Sequence, residues 1–592
     1  MHERAAGEGL PVAPSLAPAL ALAHVEGRPA SVDLRVVFIS ALAILVALAA
    51  GYVAELLGAL IALVTNLAFY GRFAVSSASP AAHVRGAWVI LIPALGGLIV
   101  GVMARFGAKA IRGHGIPEAM EQVLTNESRI PARMTLLKPL SAAIAIGTGG
   151  PFGAEGPIIA TGGALGSLLG QVINTRAAER KTLLAAGAAA GMAATFGSPV
   201  SAVLLAIELL LFEYRPRSLI PVALAASTAT CVRFAWAGGA PAFVMPTLPP
   251  PSGAAVAGYI AIGAVVGVAS VLVTRAIYAV EDAFERLPVH WMWWPALGGL
   301  VVGAVGWVAP QTLGVGYDNI EGMLSGALVP TAAATLCAFK FVSWAISLGS
   351  GTSGGTLAPL FTLGGGLGAI LGAGLSGLGV DPRMAALVGM AAMFAGASRA
   401  LLASVVFAFE TTRQPVGLLP LLGGGAAAFL VSCLLMKNSI MTEKIARRGV
   451  RALGEYEADY LDRVRLSAYT QRALVTLRAD QALSEVRAWL TRGGPGTTHQ
   501  GFPVLDDTGA LVGVVARREL LSAEGLRVGE LIRRAPVVVD EQQTLRDAAD
   551  AMARERVGRL PIVARGRPHC LLGIITRSDL VEAHRPRLAQ LR

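Results

Sequence analysis

The sequence predicts an all-α protein that crosses a membrane many times on helices broken at glycine-rich points, followed by a small α/β module. Three observations carry this expectation. Apolar stretches long enough to cross a hydrocarbon core of about 30 Å recur between about residue 35 and residue 436. A segment of 33 residues occurs twice, 202 residues apart, on the most interrupted part of that apolar sequence. After about Lys437 the composition becomes charged and ordinary, and strand-like patterns alternate with helix-like ones.

Composition sets the class. Of 592 residues, 54% are hydrophobic and only 15% charged, with a mean hydropathy of +0.62, whereas soluble domains carry nearer a quarter charged residues. The 70 glycines suit close helix packing in lipid. Residues 1–34 read as a tail, because they lack the basic start and short apolar core of a cleaved signal. Cys231, Cys337, Cys433 and Cys570 show no paired spacing, so neither disulfides nor a metal site is indicated. The net charge of +11 gathers in loops and tails such as Arg176, Arg180 and Lys181, or Lys444, Arg447 and Arg448. Such clusters favour the cytoplasmic side. No basic stripe is interleaved with aromatics, so the basic balance does not point to nucleic acid.

Apolar segments fall at roughly 36–66, 87–106, 136–150, 157–173, 183–213, 217–236, 254–280, 295–309, 330–349, 356–378, 384–412 and 417–436, and Pro131, Pro139, Pro199 and Pro382 cut several of them. Halves of about 35–236 and 254–450 follow. The number of crossings between the copies stays open, and with it whether the repeat is parallel or inverted.

Residues 138–170 and 340–372 agree at 14 of 33 positions without a gap, including Lys138/Lys340, Gly147/Gly349, Gly153/Gly355 and Pro157/Pro359. The register continues to Glu208/Glu410. Each copy has an apolar run, a glycine-rich break, and a proline suited to the first turn of a new helix. At Gly153-Ala154-Glu155-Gly156-Pro157 the N–H groups of Gly156 and Ile158 are then free, with the positive end of a helix dipole behind them. Gly355-Thr356-Leu357-Ala358-Pro359 offers a second such end. Gly113-His114-Gly115-Ile116-Pro117 offers a third, with Glu118 in its first turn.

Three positive helix ends meeting at one point would bind an anion without a fixed full charge. Each contributes on the order of 1 kcal/mol, so the site would be weak and fast, as permeation requires. Glu155 sits inside this nest. On a soluble surface it would merely balance the dipole, but a carboxylate at membrane depth is a functional residue by default. Ionised, it would occupy the anion site; protonated or swung away, it would open the path. Lys138 and Lys340, each 19 residues before its proline, either snorkel to water or, for Lys138, raise the potential of the pathway. Glu208 and Glu410, at equal repeat positions, suggest a shared structural role.

The C-terminal region carries a shorter repeat. Val475–Leu483 and Leu490 align with Val537–Leu545 and Met552, 62 residues on. Phe502-Pro503-Val504 matches Leu560-Pro561-Ile562, and Gly513-Val514-Val515 matches Gly573-Ile574-Ile575. Each unit reads strand, helix, strand, strand, helix.

Together the elements at 113–117, 153–157 and 355–359 resemble those of the CLC family of chloride channels and proton–chloride antiporters, over about residues 35–450. The region after a linker at 451–465 looks like the paired CBS domains of many family members, at 466–525 and 526–588. The resemblance implies an inverted-repeat homodimer in the cell membrane, with one anion pathway in each subunit and cytoplasmic CBS domains. It implies that Glu155 is the gating glutamate and that chloride contacts the amides of Glu155, Gly156, Thr356 and Leu357, with His114 and Gly115 beside it. His114 stands where the family usually has serine. Met441 stands at its central tyrosine, and Leu209 at the inner proton-transfer glutamate of many antiporters. A ring N–H of His114 could replace a lost hydroxyl, or the ring could simply face an inner vestibule. Glu213, or Glu208, could serve an inner proton route. Gly573-Ile574-Ile575-Thr576-Arg577-Ser578-Asp579 resembles the ribose-binding segment of CBS domains that hold adenine nucleotides, with Thr576 and Asp579 as contacts; the first unit has Ala516 and Glu519 there.

Proton-coupled chloride exchange is therefore the leading expectation, with no resident cofactor in the membrane part, and a passive chloride channel is its alternative. A CBS-regulated divalent-cation transporter would need clustered acidic ligands inside the membrane. An intramembrane hydrolase would need an HExxH element or a nucleophile–base pair. The sequence offers neither.

Overall fold

The computed structural model describes residues 32–83, 85–450, 461, 464–470, 474–522 and 524–583. The expected N-terminal tail up to residue 31 and nearly all of the expected linker lie outside the described residues. The chain divides into two compact units, Met1–Gly454 and Glu455–Arg592.

The first unit is helical. It runs α1 (Leu34–Thr65), α2 (Leu91–Phe106), α3 (Ile116–Thr125), α4 (Met134–Gly147), α5 (Glu155–Val172), α6 (Ala177–Phe196), α7 (Pro199–Ala206) and α8 (Pro216–Ala237). It continues with α9 (Gly253–Glu285), α10 (Trp294–Val308), α11 (Tyr317–Ser325), α12 (Pro330–Gly349), α13 (Leu357–Gly374), α14 (Pro382–Ser398), α15 (Leu401–Thr412), α16 (Leu418–Leu435) and α17 (Glu443–Arg447). Among the described residues, eight helical segments are long and apolar enough to cross a membrane. Two apolar runs read as continuous are divided. The run 183–213 breaks at Gly197, which takes φ 67°, and Pro199 then opens α7. The run 384–412 breaks in the same place in the repeat, at Arg399 with φ 62°. In both cases a left-handed residue ends one helix, and the chain turns directly into the next.

The repeat covers the whole unit, α1–α8 answering α9–α16. Helices α5, α7 and α8 each begin 202 residues before α13, α15 and α16. Helices α2 and α10 are repeat equivalents and pack on each other through glycines. The Pro295 carbonyl fills the space a Cβ on Gly97 would need, and the Met292 carbonyl that of Gly101. The mirrored contacts place the Pro93 carbonyl at Gly299 and the Ile90 carbonyl at Gly303. Moving forward along α2 therefore means moving backward along α10. Equivalent membrane helices run in opposite directions, so the repeat is inverted. Small residues permit this close backbone approach in lipid, where no hydrophobic drive pulls helices together.

A second reciprocal contact joins the halves. Glu208, in a widened turn after α7, accepts from the backbone N–H groups of Leu402 (3.0 Å) and Ala403 (2.9 Å) at the start of α15. Glu410 accepts from Val200 (3.0 Å) and Ser201 (2.8 Å) at the start of α7. Each carboxylate thus caps the other repeat's helix, satisfying N–H groups that a helix start leaves free.

The second unit holds two three-stranded sheets of the same design. In the first, β1 (Leu477–Arg478) pairs parallel with β2 (Gly501–Leu505), which pairs antiparallel with β3 (Leu511–Ala516). Helix α18 (Leu483–Arg492) follows β1, and α19 (Arg517–Ser522) follows β3. In the second, β4 (Val539–Asp540), β5 (Arg559–Ala564) and β6 (Arg567–Thr576) repeat that pattern, with α20 (Leu545–Glu555) and α21 (Arg577–Glu582). Each sheet closes over its own apolar cluster, around Phe502 and Val515 in one and Leu560 and Ile575 in the other.

The cross-capping predicts that Glu208→Ala and Glu410→Ala each lower the melting temperature in detergent by comparable amounts. Each leaves two helix-start amides unpaired, at about 1–3 kcal/mol per group if they stay buried. A loss confined to one of the two variants would contradict a shared structural role.

Candidate functional site

The three broken-helix starts meet. Gly153 and Gly355 exchange two backbone hydrogen bonds, Gly153 N to Gly355 O at 3.2 Å and Gly355 N to Gly153 O at 2.9 Å. Gly113 bridges to Ser353, and its N–H donates to the Thr352 carbonyl at 3.2 Å. The Cα of Gly156 lies against the His114 carbonyl and the Gly355 Cα, with no room for a side chain. Residues 113–117, 153–157 and 355–359 thus share one junction, as the sequence suggested. Helices α5 and α13 begin there, at Glu155 and Leu357, and α3 begins beside them at Ile116.

Buried lysines hold the loops that feed this junction. Lys138 donates to the carbonyls of Ile111 and Gly113, both at 2.8 Å. Lys340, its repeat mate, donates to Thr312 (3.0 Å) and Gly314 (2.8 Å). Both side chains are buried, so the snorkelling alternative does not apply: their ammonium groups end on inward carbonyls. The Lys138 charge sits directly behind the start of α3. Glu118 closes that start, accepting from Gly115 N at 2.7 Å while pairing with Lys444 at 2.6 Å. Gly115 takes φ 95°, a backbone state that favours glycine.

Glu155 is fully buried. Its carboxylate folds back over the Cα of Gly153, where a Cβ would collide with it. One oxygen accepts from the Tyr317 hydroxyl at 2.5 Å; the other has no hydrogen-bond partner. The buried hydroxyl of Thr356 and Nδ1 of His114 are likewise unpartnered. Unmet polar atoms are costly in an apolar interior; the Thr356 hydroxyl is a donor open to an anion, and the Glu155 carboxylate occupies the same junction.

His114 also lines a cavity of about 540 Å³, shared with Arg112, Tyr278, Glu281, Trp291 and Lys444. The His114 carbonyl lies on the junction beside Gly156, and the residue is buried at the edge of this cavity. Met441 is buried in the apolar core and carries no side-chain donor, so any part it takes in anion binding is limited to apolar contact. The hydroxyl of Tyr278 comes close to this position but donates to the Ile440 carbonyl at 2.8 Å. Glu208 is engaged as a helix cap. Glu213 accepts from Ser218 at 2.6 Å and lies 3.8 Å from Arg215, in a separate pocket with Arg35 and Glu179. The structure joins neither to Glu155.

Tyr317 was missed by the sequence reading. The available signal was Gly314-Val315-Gly316, which repeats the spacing of Gly113-His114-Gly115 on the second copy and marks a fourth helix start.

In the second unit, Thr576 and Asp579 bond each other as a helix cap. Asp579 accepts from the Thr576 hydroxyl (2.6 Å) and backbone N–H (2.8 Å). A cavity of about 550 Å³ within this same unit takes in the equivalent positions of its first copy, Ala516 and Glu519, together with Arg533, Arg534 and Arg559. Burial lowers the Arg559 guanidinium from its ordinary value.

An inverted repeat of membrane helices, with broken ends converging on a carboxylate, defines a membrane transport protein for small ions. Residues 96–433 match the voltage gated chloride channel family and residues 528–585 the CBS domain. The chain belongs to the voltage gated chloride channel family, with a CBS region after its membrane unit. It is 28% identical over 355 residues to the H(+)/Cl(-) exchange transporter ClcA of Vibrio campbellii, covering 58% of this chain and 75% of that one. It is 30% identical over 374 residues to the chloride channel protein CLC-f of Arabidopsis thaliana, covering 58% of this chain and 47% of that one. Its fold is similar to the crystal structure of a slow cyanobacterial Cl-/H+ antiporter, at TM-score 0.61 and 21% identity over 69% of this chain and 98% of that one.

The lysine clamps predict that Lys138→Met and Lys340→Met both destabilise the membrane unit, each removing a charged donor from two inward carbonyls. A cost of about 1–3 kcal/mol per carbonyl should appear as a lower detergent unfolding midpoint. Unchanged midpoints would mean that the clamps are dispensable.

Proposed function

We propose that this protein exchanges chloride for protons across the membrane, with Glu155 as the gate common to both ions. The observation that carries this reading is the buried Glu155 carboxylate at the meeting point of the helix starts. Seated there, the ionised side chain takes the place of an anion, stabilised by amide dipoles in a water-poor setting where they act most strongly. A proton neutralises it, weakens its hold, and lets it leave. Chloride then contacts the amides of Glu155, Gly156, Thr356 and Leu357. His114 and Gly115 border the inner approach, and Lys138 adds positive potential from behind α3. Exchange follows when chloride and the ionised carboxylate compete for one seat.

Passive conduction is retained as the second reading because of Leu209, which places an apolar residue where many antiporters carry an inner proton glutamate. Glu213 and Glu208 are the remaining candidates for that route. Two copies pair in the membrane, each with its own pathway, and the C-terminal unit lies in the cytoplasm. There the arginine-rich cavity beside Glu519 suits an adenine nucleotide, its phosphates near Arg533 and Arg534. Thr576 and Asp579 remain candidates for a second such site.

Liposomes holding the purified full chain test the transport reading. An imposed chloride gradient should drive protons uphill; fast chloride flux without proton movement would establish a channel. Glu155→Gln should retain chloride flux but lose its proton coupling and pH dependence. His114→Ala should weaken apparent chloride affinity about tenfold, the value of one hydrogen bond to an ion, and unchanged affinity at every pH would remove the histidine from the pathway. Titration calorimetry of the full chain with ATP should show binding that Glu519→Gln weakens.

A further inference from the structure

We propose that Tyr317 is a positioning residue for the gate, its hydroxyl latching the Glu155 carboxylate into the junction of broken helices and setting how readily a proton releases it. This rests on the reading of Glu155 as the gate.

The geometry is direct. The Tyr317 hydroxyl lies 2.5 Å from Glu155 Oε1, a short contact of the charge-assisted kind. Among the described residues it is the one side chain that hydrogen-bonds this carboxylate; the backbone amides of Glu155 and Ala358 also face it. Helix α5 belongs to the first repeat and α11 to the second, so the latch spans the two halves.

The donor is held rigidly. The Tyr317 ring meets Phe196 and Phe243 edge-on, each with centroids 5.9 Å apart, and Phe196 packs in turn on Phe407 at 4.8 Å. The backbone before it is pinned at Gly314, whose N–H donates to the Gly149 carbonyl at 3.0 Å and whose carbonyl takes Lys340. Gly316 then turns at φ 79°, and α11 starts with the tyrosine. A hydroxyl presented by such a frame cannot follow a departing carboxylate.

The internal symmetry supplies an independent check. The repeat mate of Glu155 is Leu357, 202 residues on; in the preceding loop the offset is 201, as the lysine clamps at Ile111/Gly113 and Thr312/Gly314 show, so the mate of Tyr317 is Ile116. The same pair of positions is thus polar on one side of the two-fold and wholly apolar on the other, where Ile116 and Leu357 are buried. Either polar residue alone would strand an unmet group in the core. Carboxylate and phenol therefore belong together as one device, and their apolar mates show that the fold itself does not require them.

Other charged groups stand back from this pair. Arg233 on α8 faces Tyr317 and donates to the Thr195 carbonyl at 2.8 Å. Lys340 lies behind Gly316. His114, Lys138 and the Glu118–Lys444 pair sit on the α3 side. None of them hydrogen-bonds Glu155. Since the phenol donates best to the ionised carboxylate, it favours the seated state, and its removal lets the gate open at lower proton concentration.

The test is chloride flux against pH in liposomes holding the full chain: wild type, Tyr317→Phe, Glu155→Gln and the double variant. Tyr317→Phe keeps the ring and its aromatic contacts. It should raise flux several-fold at neutral pH and move the half-activation pH up by about one unit, the scale of one charge-assisted hydrogen bond. In the Glu155→Gln background it should change nothing. A fluorinated tyrosine at 317, whose more acidic hydroxyl donates more strongly, should move the half-activation pH the other way and covers the case of a poorly folding Phe variant. An unmoved pH profile in these variants, or an equal effect in the Glu155→Gln background, would sink the latch while leaving the gate intact. Absence of chloride flux in the wild type would overturn the transport reading, and the latch with it.

Discussion

A helix can end inside a bilayer only where other groups meet the hydrogen-bonding needs of its freed backbone, and this protein ends several helices at a single point. That constraint organises the rest. The junction at Gly113, Gly153 and Gly355 ties backbone to backbone without side chains between, so the breaks satisfy one another instead of facing lipid. Glycine is required because the neighbouring chain occupies the space of a Cβ at Gly156 and Gly355. The cost of interrupting helices in lipid is offset in this way, and the Ile158 N–H, expected to be free, donates to the Ala154 carbonyl at 3.1 Å.

The supports around that point come in pairs, because the two halves are inverted copies. Lys138 and Lys340 clamp equivalent loops, and Glu208 and Glu410 cap each other's helices. These are buried or half-buried ionisable residues, the kind that usually marks a functional site, yet their twofold repetition fits a framework role. The proposed gate lies instead where the symmetry fails. Glu155 and Tyr317 have Leu357 and Ile116 as mates, and His114 has Val315. In the proposed mechanism the chemistry of ion passage lies in those unmatched side chains, set on a matched scaffold.

The C-terminal unit follows a different logic. Its two sheets bury ordinary apolar clusters, and the acidic residues of its repeated motif, Glu519 and Asp579, lie in the first turns of α19 and α21 and accept from the N–H groups of Ala516 and Thr576 just before them. The large cavity is lined by both copies, with Ala516 and Glu519 from the first and Gly558 and Arg559 from the second. Capping fixes these carboxylates in place without deciding whether they also meet a ligand.

Much of the membrane unit was legible in the chain. Lipid-scale apolar runs, a gapless 202-residue offset and glycine–proline breaks are short-range signals, and they determined the class, the repeat, the three helix starts and the central place of Glu155. The division of 183–213 and 384–412 was harder to read, because a left-handed turn at Gly197 or Arg399 leaves hydropathy unbroken. Repeat direction, the hydroxyl partner of Glu155 and the fate of Glu208 were decided by tertiary structure alone. Each depends on contacts between residues some 160 or more positions apart, and apolar patterning within a helix carries no record of which distant backbone or side chain will meet it.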